Sequence, residues 1–538
     1  MLRKMAPNLD FHNPKDALLL LAAAWAVSFV LIKVFRRDSG ATPLRGPPSP
    51  SRFFGYSRVL TESQDSAAVY GEWAAQYGPV FRIPAILGSY KILLCDPKAL
   101  AHFYSKETFT YVQTGFSRIF IEKFFGRGLL WAEGESHRRQ RKALTPAFSN
   151  AAIKRLTSVF YDSTYKCKAA WDNLIENNAE GSIIEVQSWM NHISLDSVGI
   201  AGFSHEFASL DGKESAVSTA FEAIGTRPTS FLSAFIFLLS PVFPVLARLP
   251  TSRNQVFKNL HRSLTEISDT LLARTRQETQ GKLDGYEEKS IIGLLIKAEN
   301  AKAELHLTQE EVIAQMNVLL LAGYETTSIS LTWTLIELSR HLEVQKKLRQ
   351  ELLDQFPSGD PTWEQLTSGL PYLDAVVHEV LRLHPPLKET VRKVAFDDII
   401  PLSKPIVDAN GNTVSSISVK KGQVVSSPIA LMNRAEWIWG SDASTFRPDR
   451  WLEPGFGEKN DIQGHRHLLT FVDGPRTCLG KGFALAEFKA ALSVLVRNFT
   501  FEFSGPEPKI ERHQSILPRP KFEGQDGAKI PLRVHRVE

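Results

Sequence analysis

The chain has 538 residues, of which 43% are hydrophobic and 22% are charged. These fractions are typical of a globular protein and exclude an intrinsically disordered chain. The formal net charge of +5 is small for this length, and no long basic run occurs. The composition therefore argues against nucleic-acid binding and predicts a packed body of enzyme size.

The amino-terminal region contains a hydrophobic segment. Residues 17–32 are uncharged and largely apolar, and Val34 and Phe35 extend the run past Lys33. Such a segment is long enough to span a bilayer. We interpret residues 17–35 as an uncleaved transmembrane signal anchor, with residues 1–16 lumenal, in preference to a cleaved signal peptide. Basic residues on its carboxyl side predict a cytosolic catalytic domain.

Residues 36–51 form a proline-rich segment that cannot continue a helix. Its closely spaced prolines predict a stiff linker that sets the distance and tilt of the domain above the bilayer. A plain connecting segment explains the same composition equally well.

The remainder, residues 52–538, contains no repeat or long linker and is predicted to be one domain. Strand-like runs occur at 80–83 and 91–95, and a second extended region covers 399–425 with a turn at 410–412. Residues 310–341 are apolar on nearly every side, which predicts a long helix through the core. The predicted fold class is mainly α (α+β), with a small β-rich part.

Three cysteines, Cys95, Cys167 and Cys478, are far apart in the chain. Their odd number and spacing argue against a disulfide framework and for a reducing compartment. Cys95 and Cys167 lie in apolar or amphipathic runs, which favours small buried hydrophobes.

Cys478 lies in the stretch FVDGPRTCLG at residues 471–480, directly before a helical pattern at 483–496. The dipole and N–H groups of a helix start favour a thiolate, so this cysteine is suited to bind a metal. Gly474 and Gly480 allow close approach to a flat macrocycle, and Arg476 can pair with a carboxylate. An incidental buried cysteine in a glycine-rich turn is the alternative.

This stretch resembles the signature of the cytochrome P450 superfamily. Every signature position is matched, by Phe471, Gly474, Arg476, Cys478 and Gly480. The resemblance implies the cytochrome P450 fold and a heme b cofactor (iron protoporphyrin IX). It also implies that Cys478 is the axial ligand of the iron and that Arg476 binds a haem propionate.

Residues 322–327, AGYETT, lie within the predicted long helix and resemble the segment that crosses the distal face of the haem in this family. The resemblance implies that Glu325 and Thr326 deliver protons during oxygen activation. A structural role remains open for Thr326, because a threonine hydroxyl can bond to a carbonyl one turn back.

Three further elements resemble parts of the same family. Glu379 and Arg382 are spaced to pair on one helix face, and Arg450 is the expected third member of their structural network. His137 and Arg141 share a helix face and would bind a propionate, although many relatives carry tryptophan at the histidine position. Arg392 is a further propionate candidate.

The predicted walls of the substrate pocket are apolar and aromatic, which favours lipophilic substrates. They comprise Phe116, Phe120, Phe124, Phe125 and the run 231–249. That run fits membrane contact and core packing equally well. Lys388 and Glu389 are unusual after the proline pair, and would either face outward or recognise a polar substituent.

The chain contains no recognisable flavin or nicotinamide module, so electrons must come from a separate protein. The resemblance implies NADPH–cytochrome P450 reductase, with cytochrome b5 as an optional second donor, and an endoplasmic-reticulum membrane location. Basic residues that could steer a reductase are Arg138, Arg139, Lys142, Arg466 and Lys481. Solvated surface charge is the other interpretation of this set.

The predicted function is a haem-thiolate monooxygenase that inserts one oxygen atom into a lipophilic molecule. The insert at 397–425 is similar to fungal members, which suggests secondary metabolism such as terpenoid biosynthesis. Two alternatives are a reductase-independent haem-thiolate isomerase or dehydratase, and a membrane haem protein without catalytic activity.

Overall fold

The computed structural model describes residues 40–176, 181–213, 231–249, 251–280, 291–299, 305–456, 462–513 and 515–537. The described helices are α1 (Ser57–Glu62), α2 (Ser66–Tyr77), α3 (Pro97–Ser105), α4 (Gly115–Phe125), α5 (Gly134–Leu144), α6 (Asn150–Ile175), α7 (Val186–Phe203), α8 (Phe231–Leu239), α9 (Ser252–Gln280), α10 (Ile291–Glu299), α11 (Gln309–Arg340), α12 (Leu342–Gln355), α13 (Pro371–Leu383), α14 (Ile429–Met432), α15 (Glu436–Trp439) and α16 (Lys481–Asn498).

The described strands are β1 (Val80–Pro84), β2 (Tyr90–Leu94), β3 (Tyr111–Gln113), β4 (Ser182–Glu185), β5 (Thr390–Val394), β6 (Asp398–Val407), β7 (Thr413–Val419), β8 (Val424–Ser427), β9 (Phe499–Glu502), β10 (Ile510–His513), β11 (Arg519–Phe522) and β12 (Pro531–Arg536). The mainly helical architecture with a small β part is confirmed.

The largest sheet has the strand order β1-β2-β8-β5-β3. Its β2 and β8 run parallel, with Leu93 opposite Ser426, whereas β5 pairs antiparallel with β8. Strands β6 and β7 form a separate hairpin, and Gly411 in its turn has a φ of 87°. The strands predicted at 80–83 and 91–95 and the turn at 410–412 are thereby confirmed. The sheet brings residues distant in sequence to one edge of the cavity described below.

Helix α11 is the long core helix expected at 310–341. Thr308 begins it through a capping box, in which its hydroxyl accepts from the Glu311 N–H and the Glu311 carboxylate accepts from the Thr308 N–H. Most side chains along the helix are buried, because α7, α9, α13 and α16 all pack against it. A helix buried on all sides holds its side chains in fixed positions.

Residues 42–46 of the predicted linker lie against the folded domain. Leu44 is buried, the Thr42 N–H donates to the Ser418 carbonyl, and the Arg45 carbonyl accepts from the Arg82 N–H. A Cβ at Gly46 would lie 1.9 Å from the Arg82 carbonyl oxygen, so this position requires glycine. The predicted anchor at 17–35 lies outside the described residues, and no described helix is both long and apolar enough to cross a membrane.

A buried polar network joins α13 to the loops that follow α15. Both carboxylate oxygens of Glu379 accept from the Arg382 guanidinium at 2.9 Å, and Arg450 Nε donates to Glu379 Oε1 at 3.0 Å. Arg382 also donates to the backbone carbonyls of Asn433 and Ala443. The structure therefore brings together the three residues expected to form a network, and all three are buried.

The network reaches the loop that carries Cys478. The Asn433 carboxamide accepts from the Leu469 N–H and donates to the Thr470 hydroxyl, which in turn donates to the Leu381 carbonyl. The fold thus fixes where this loop begins.

Candidate active site

The loop before α16 holds Cys478 through its backbone. The Cys478 N–H donates to the Phe471 carbonyl at 2.8 Å, and the Thr477 N–H donates to the Gly474 carbonyl at 3.0 Å. Helix α16 begins three residues later, at Lys481. The thiol is therefore close to a helix N-terminus, as the sequence predicts.

The two glycines of the loop serve different needs. Gly474 has a φ of 66°, and a Cβ there would lie 2.3 Å from the Tyr104 carbonyl oxygen. It does not line the cavity, so the close approach that requires glycine is to the protein backbone rather than to a macrocycle. Gly480 does line the cavity. Phe471 is buried in the core against His465 and does not line it.

Cys478 opens onto an internal cavity of about 730 Å³, within the usual range for a ligand pocket. Its accessible surface faces this cavity, although the thiol lies deep within the protein. Burial raises the pKa of the Cys478 thiol. The Gly480 N–H and the positive charges of Arg141 and Lys481 oppose that shift and favour the thiolate.

Four cationic or imidazole side chains line the same cavity: His137, Arg141, Arg392 and Arg476. They come from three predicted elements, because His137 and Arg141 share one helix, and all four converge here. Burial and the neighbouring arginines lower the His137 pKa to about 3, so this imidazole is neutral near pH 7.

Two acidic partners of these arginines have no local sequence signal. Glu107 Oε1 lies 2.8 Å from Arg392 Nε, and Glu133 Oε2 lies 2.7 Å from Arg476 Nη2. Burial raises the Glu107 pKa, although Arg392 and Arg476 oppose the shift. These carboxylates hold the arginine side chains at the cavity wall.

Glu325 and Thr326, the two predicted proton-delivery residues of α11, lie in different environments. Thr326 lines the cavity, and its hydroxyl donates to the Ala322 carbonyl at 2.7 Å. Glu325 is fully buried and does not line it; Arg519 Nε donates to its carboxylate at 3.1 Å. Burial raises the Glu325 pKa, and Arg519 opposes the shift. Ser515 lines the cavity and donates to Glu325 at 3.3 Å, which connects the acid to it.

The structure confirms part of the predicted aromatic wall of the cavity. Phe116, Phe120 and Phe124 line the cavity and Phe125 does not, whereas Phe237 of the 231–249 run does. Lys388 and Glu389 differ in the same way: Glu389 lines the cavity and Lys388 does not.

Lys388 carries a pH-dependent stability effect. Burial lowers its pKa to about 8, and the positive charge of Arg434 adds to the shift. In the unfolded chain lysine has a pKa of about 10.4, so the unfolded chain binds more protons than the folded protein between about pH 8 and about pH 10. The free energy of unfolding should therefore rise as the pH increases through this range.

We expect Lys388→Met to raise the melting temperature at pH 7 and to reduce the increase of stability between about pH 8 and about pH 10. Thermal unfolding measured across this pH range tests the prediction, with Lys393→Met, at an exposed lysine, as the control. A lower melting temperature in Lys388→Met than in the wild type at pH 7 would contradict the prediction.

The cavity residues fit a haem group. Cys478 can supply a thiolate to the iron, while Arg141, Arg392, Arg476 and the neutral His137 can supply hydrogen-bond donors to two propionates. Arg476 Nε is buried without a hydrogen bond to any described residue, as expected of a donor whose acceptor belongs to a ligand, whereas Arg392 Nε faces Glu107.

This fold and site define a haem-thiolate protein, and comparison with known proteins identifies its class. The cytochrome P450 family model matches residues 45–524. The chain is 66% identical to cytochrome P450 monooxygenase claP of Ampulloclitocybe clavipes, over 97% of this chain and 98% of that protein. It is 33% identical to cytochrome P450 monooxygenase 128 of Postia placenta, over 98% of each chain. It is also 33% identical to the ganoderic acid synthetase of Ganoderma lucidum, over 91% of this chain and 94% of that protein.

The chain belongs to the cytochrome P450 family. It is a haem-iron monooxygenase, and the resemblance predicted from its sequence motifs is confirmed.

Proposed function

We propose that Cys478 is the axial thiolate ligand of heme b and that this enzyme hydroxylates a lipophilic substrate in fungal secondary metabolism. One observation carries the proposal: a single cavity is lined by Cys478, by Thr326 and by the four side chains suited to the propionates. When bound, haem supplies the oxidising chemistry with dioxygen, while the protein supplies ligation, orientation and protons.

The propionate residues give the cofactor its orientation. Arg141 extends from α5, Arg392 from β5 and Arg476 from the cysteine loop, so three separate elements would bind one edge of the macrocycle. Ion pairs with Glu107 and Glu133 fix two of these guanidinium groups before the cofactor binds. Pre-oriented donors lose less conformational entropy on binding.

Proton delivery would follow a route along α11. The buried Glu325 holds or releases a proton at its carboxylate, Ser515 connects that carboxylate to the cavity, and the Thr326 hydroxyl lies at the cavity wall. Burial raises the pKa of Glu325, which favours retention of a proton that this carboxyl could then donate.

The substrate class is supported by the walls and by the relatives. Phenylalanines and aliphatic side chains make up most of the cavity lining, which suits a lipophilic molecule. One relative is named for ganoderic acid synthesis. A terpenoid or another product of secondary metabolism is therefore our proposed substrate class.

Electrons are proposed to come from NADPH through a separate reductase, with the enzyme anchored to the endoplasmic-reticulum membrane by residues 17–35. Among the basic residues suggested for docking, Arg138 and Arg466 are more than half exposed. Arg139 instead pairs with Glu311, so it joins α5 to α11. The docking surface we propose therefore uses Arg138, Lys142, Arg466 and Lys481.

The test is a reduced carbon monoxide difference spectrum of the purified protein, followed by turnover with ¹⁸O₂, NADPH and a fungal reductase. We expect the red-shifted Soret band of a thiolate-ligated haem, and one ¹⁸O atom in the product. Well-folded, haem-loaded protein without this band would contradict the ligand assignment. Turnover of a peroxide without reductase would favour an isomerase.

Thr326→Ala should uncouple electron use from product formation. The variant removes the hydroxyl that we propose as the proton donor, so we expect product formation to fall roughly 10²-fold while NADPH oxidation continues. The ratio of product to NADPH consumed measures this effect.

Two variants separate proton delivery from helix structure. Thr326→Ser should restore most of the product because it retains the hydroxyl. Thr327→Ala removes a neighbouring hydroxyl from the same cavity wall and should have a smaller effect. Equal losses in both alanine variants would contradict a specific role for Thr326.

A further inference from the structure

An acidic side chain lines the cavity, and a polar cluster whose other members do not line it holds the carboxylate. Glu389 supplies the one carboxylate among the described residues that line the cavity. It lies directly before β5, and Leu387, two residues earlier, also lines the cavity. A carboxylate among phenylalanines and aliphatic side chains is costly unless it is paired or has a ligand to bind.

Three side chains from separate elements hold this carboxylate. Tyr70 Oη, on α2, donates to Glu389 Oε2 at 3.0 Å. Lys91 Nζ, on β2, and Ser426 Oγ, on β8, both donate to Glu389 Oε1. Lys91 Nζ also donates to Tyr70 Oη at 2.7 Å. The parallel pairing of β2 with β8 sets the positions of these donors.

The cluster leaves capacity for one more hydrogen bond. An ionised carboxylate accepts about four hydrogen bonds, and these three protein donors account for three. Oε1 receives two of them and Oε2 receives one, so Oε2 can accept another. About a fifth of the Glu389 side chain remains accessible, at 19%.

The charge of the cluster indicates which kind of ligand group could donate a hydrogen bond to Glu389. Lys91 neutralises Glu389, so neither a cationic nor an anionic ligand gains much from the net charge of the pair. A neutral hydroxyl can donate to Oε2 without changing the charge of the cavity. Hydrogen bonds to a charged acceptor are stronger than those between neutral groups.

We infer that Glu389, held by Tyr70, Lys91 and Ser426, is a specificity-determining residue that accepts a hydrogen bond from a hydroxyl group of a lipophilic substrate. The inference rests on the proposed function, because it assumes a haem-loaded cavity that binds lipophilic molecules. The hydroxyl anchored at Glu389 would hold the substrate so that another part of its hydrocarbon skeleton faces Thr326.

The test compares two probes of nearly equal size, 1-dodecanol and its methyl ether. Only the alcohol can donate a hydrogen bond. Equilibrium binding to the haem-loaded full-length protein is measured by the change in the Soret absorption band. We expect the alcohol to bind the wild type about 10-fold to 100-fold more tightly than the ether.

The main variant replaces both charges, Lys91→Met with Glu389→Leu, because a single replacement would leave a buried charge unpaired. We expect it to reduce the alcohol preference to less than about threefold. Lys91→Met with Glu389→Gln keeps a neutral acceptor without an unpaired charge and should retain an intermediate preference. Lys388→Met, next to Glu389 but outside the cavity wall, is the matched control and should keep the wild-type preference.

A double variant that is folded, shows the thiolate band with carbon monoxide and keeps the wild-type preference would overturn the inference, because the pair would then be purely structural. A wild type that binds both probes equally would overturn it as well. By contrast, absence of the thiolate band in the wild type would overturn the ligand assignment of the proposed function, so the two failures are distinguishable.

Discussion

Cys478→Ala should abolish monooxygenase activity and the thiolate-type carbon monoxide band together. The variant removes the only sulfur atom among the residues that line the cavity in the described part of the chain. The propionate donors Arg141, Arg392 and Arg476 remain, so some haem should still bind, without the sulfur ligand that tunes the iron. Absorption spectra with carbon monoxide, together with haem content per protein, measure the two effects separately.

Cys167→Ala is the matched control for this variant. Cys167 is fully buried in α6, within the hydrophobic core and away from the cavity. We expect the thiolate band to persist in Cys167→Ala with only a modest loss of stability. A thiolate band that persists in Cys478→Ala would show that another residue ligates the iron, and the site assigned here would be wrong.

Arg382→Ala should prevent the folded, haem-loaded state from accumulating. The change removes two of the three hydrogen bonds that Arg382 and Arg450 donate to the buried Glu379 carboxylate. It also leaves the Asn433 and Ala443 carbonyls without this donor. Loss of one partner of a buried ion pair costs about 3–5 kcal/mol, a large part of the total stability of a typical domain. The free energy of unfolding in urea and the haem content of the purified protein measure this loss.

The chain provides a control with the same residue spacing. Glu343 and Lys346 also form an i, i+3 ion pair, but on the exposed face of α12. Lys346→Ala should change the free energy of unfolding by less than about 0.5 kcal/mol, because water solvates both charges. Arg382→Lys should remain strongly destabilised, because an ammonium group cannot form the bidentate pair with Glu379. Similar stability in Arg382→Ala and Lys346→Ala would contradict a supporting role for the network.

Local sequence patterns predicted the elements whose geometry depends on neighbouring residues. The spacing of Glu379 and Arg382 on one turn of α13 required only helix periodicity. The apolar pattern at 310–341 predicted the core helix α11, because such a side-chain pattern is local. The prediction that Gly474 and Gly480 allow close approach to a flat macrocycle rested on residue type alone, and Gly474 instead approaches the Tyr104 carbonyl.

The partners of the site residues depended on the tertiary structure. Glu107 pairs with Arg392, and Lys91 pairs with Glu389 across 298 positions of sequence. Arg519, on β11, donates to Glu325, and this acid does not line the cavity, whereas its neighbour Thr326 does. No periodicity or motif spacing encodes such contacts.

The sequence by itself determined the family, the candidate ligand Cys478 and the main helices, because each depends on a contiguous pattern of residue types. Only the tertiary structure decided which carboxylates hold the arginines of the cavity, that Glu325 is reached through Ser515, and that Glu389 rather than Lys388 lines the wall. The physical reason is that hydrogen bonds and ion pairs depend on distance in space, and folding brings together donors and acceptors that the chain keeps hundreds of residues apart.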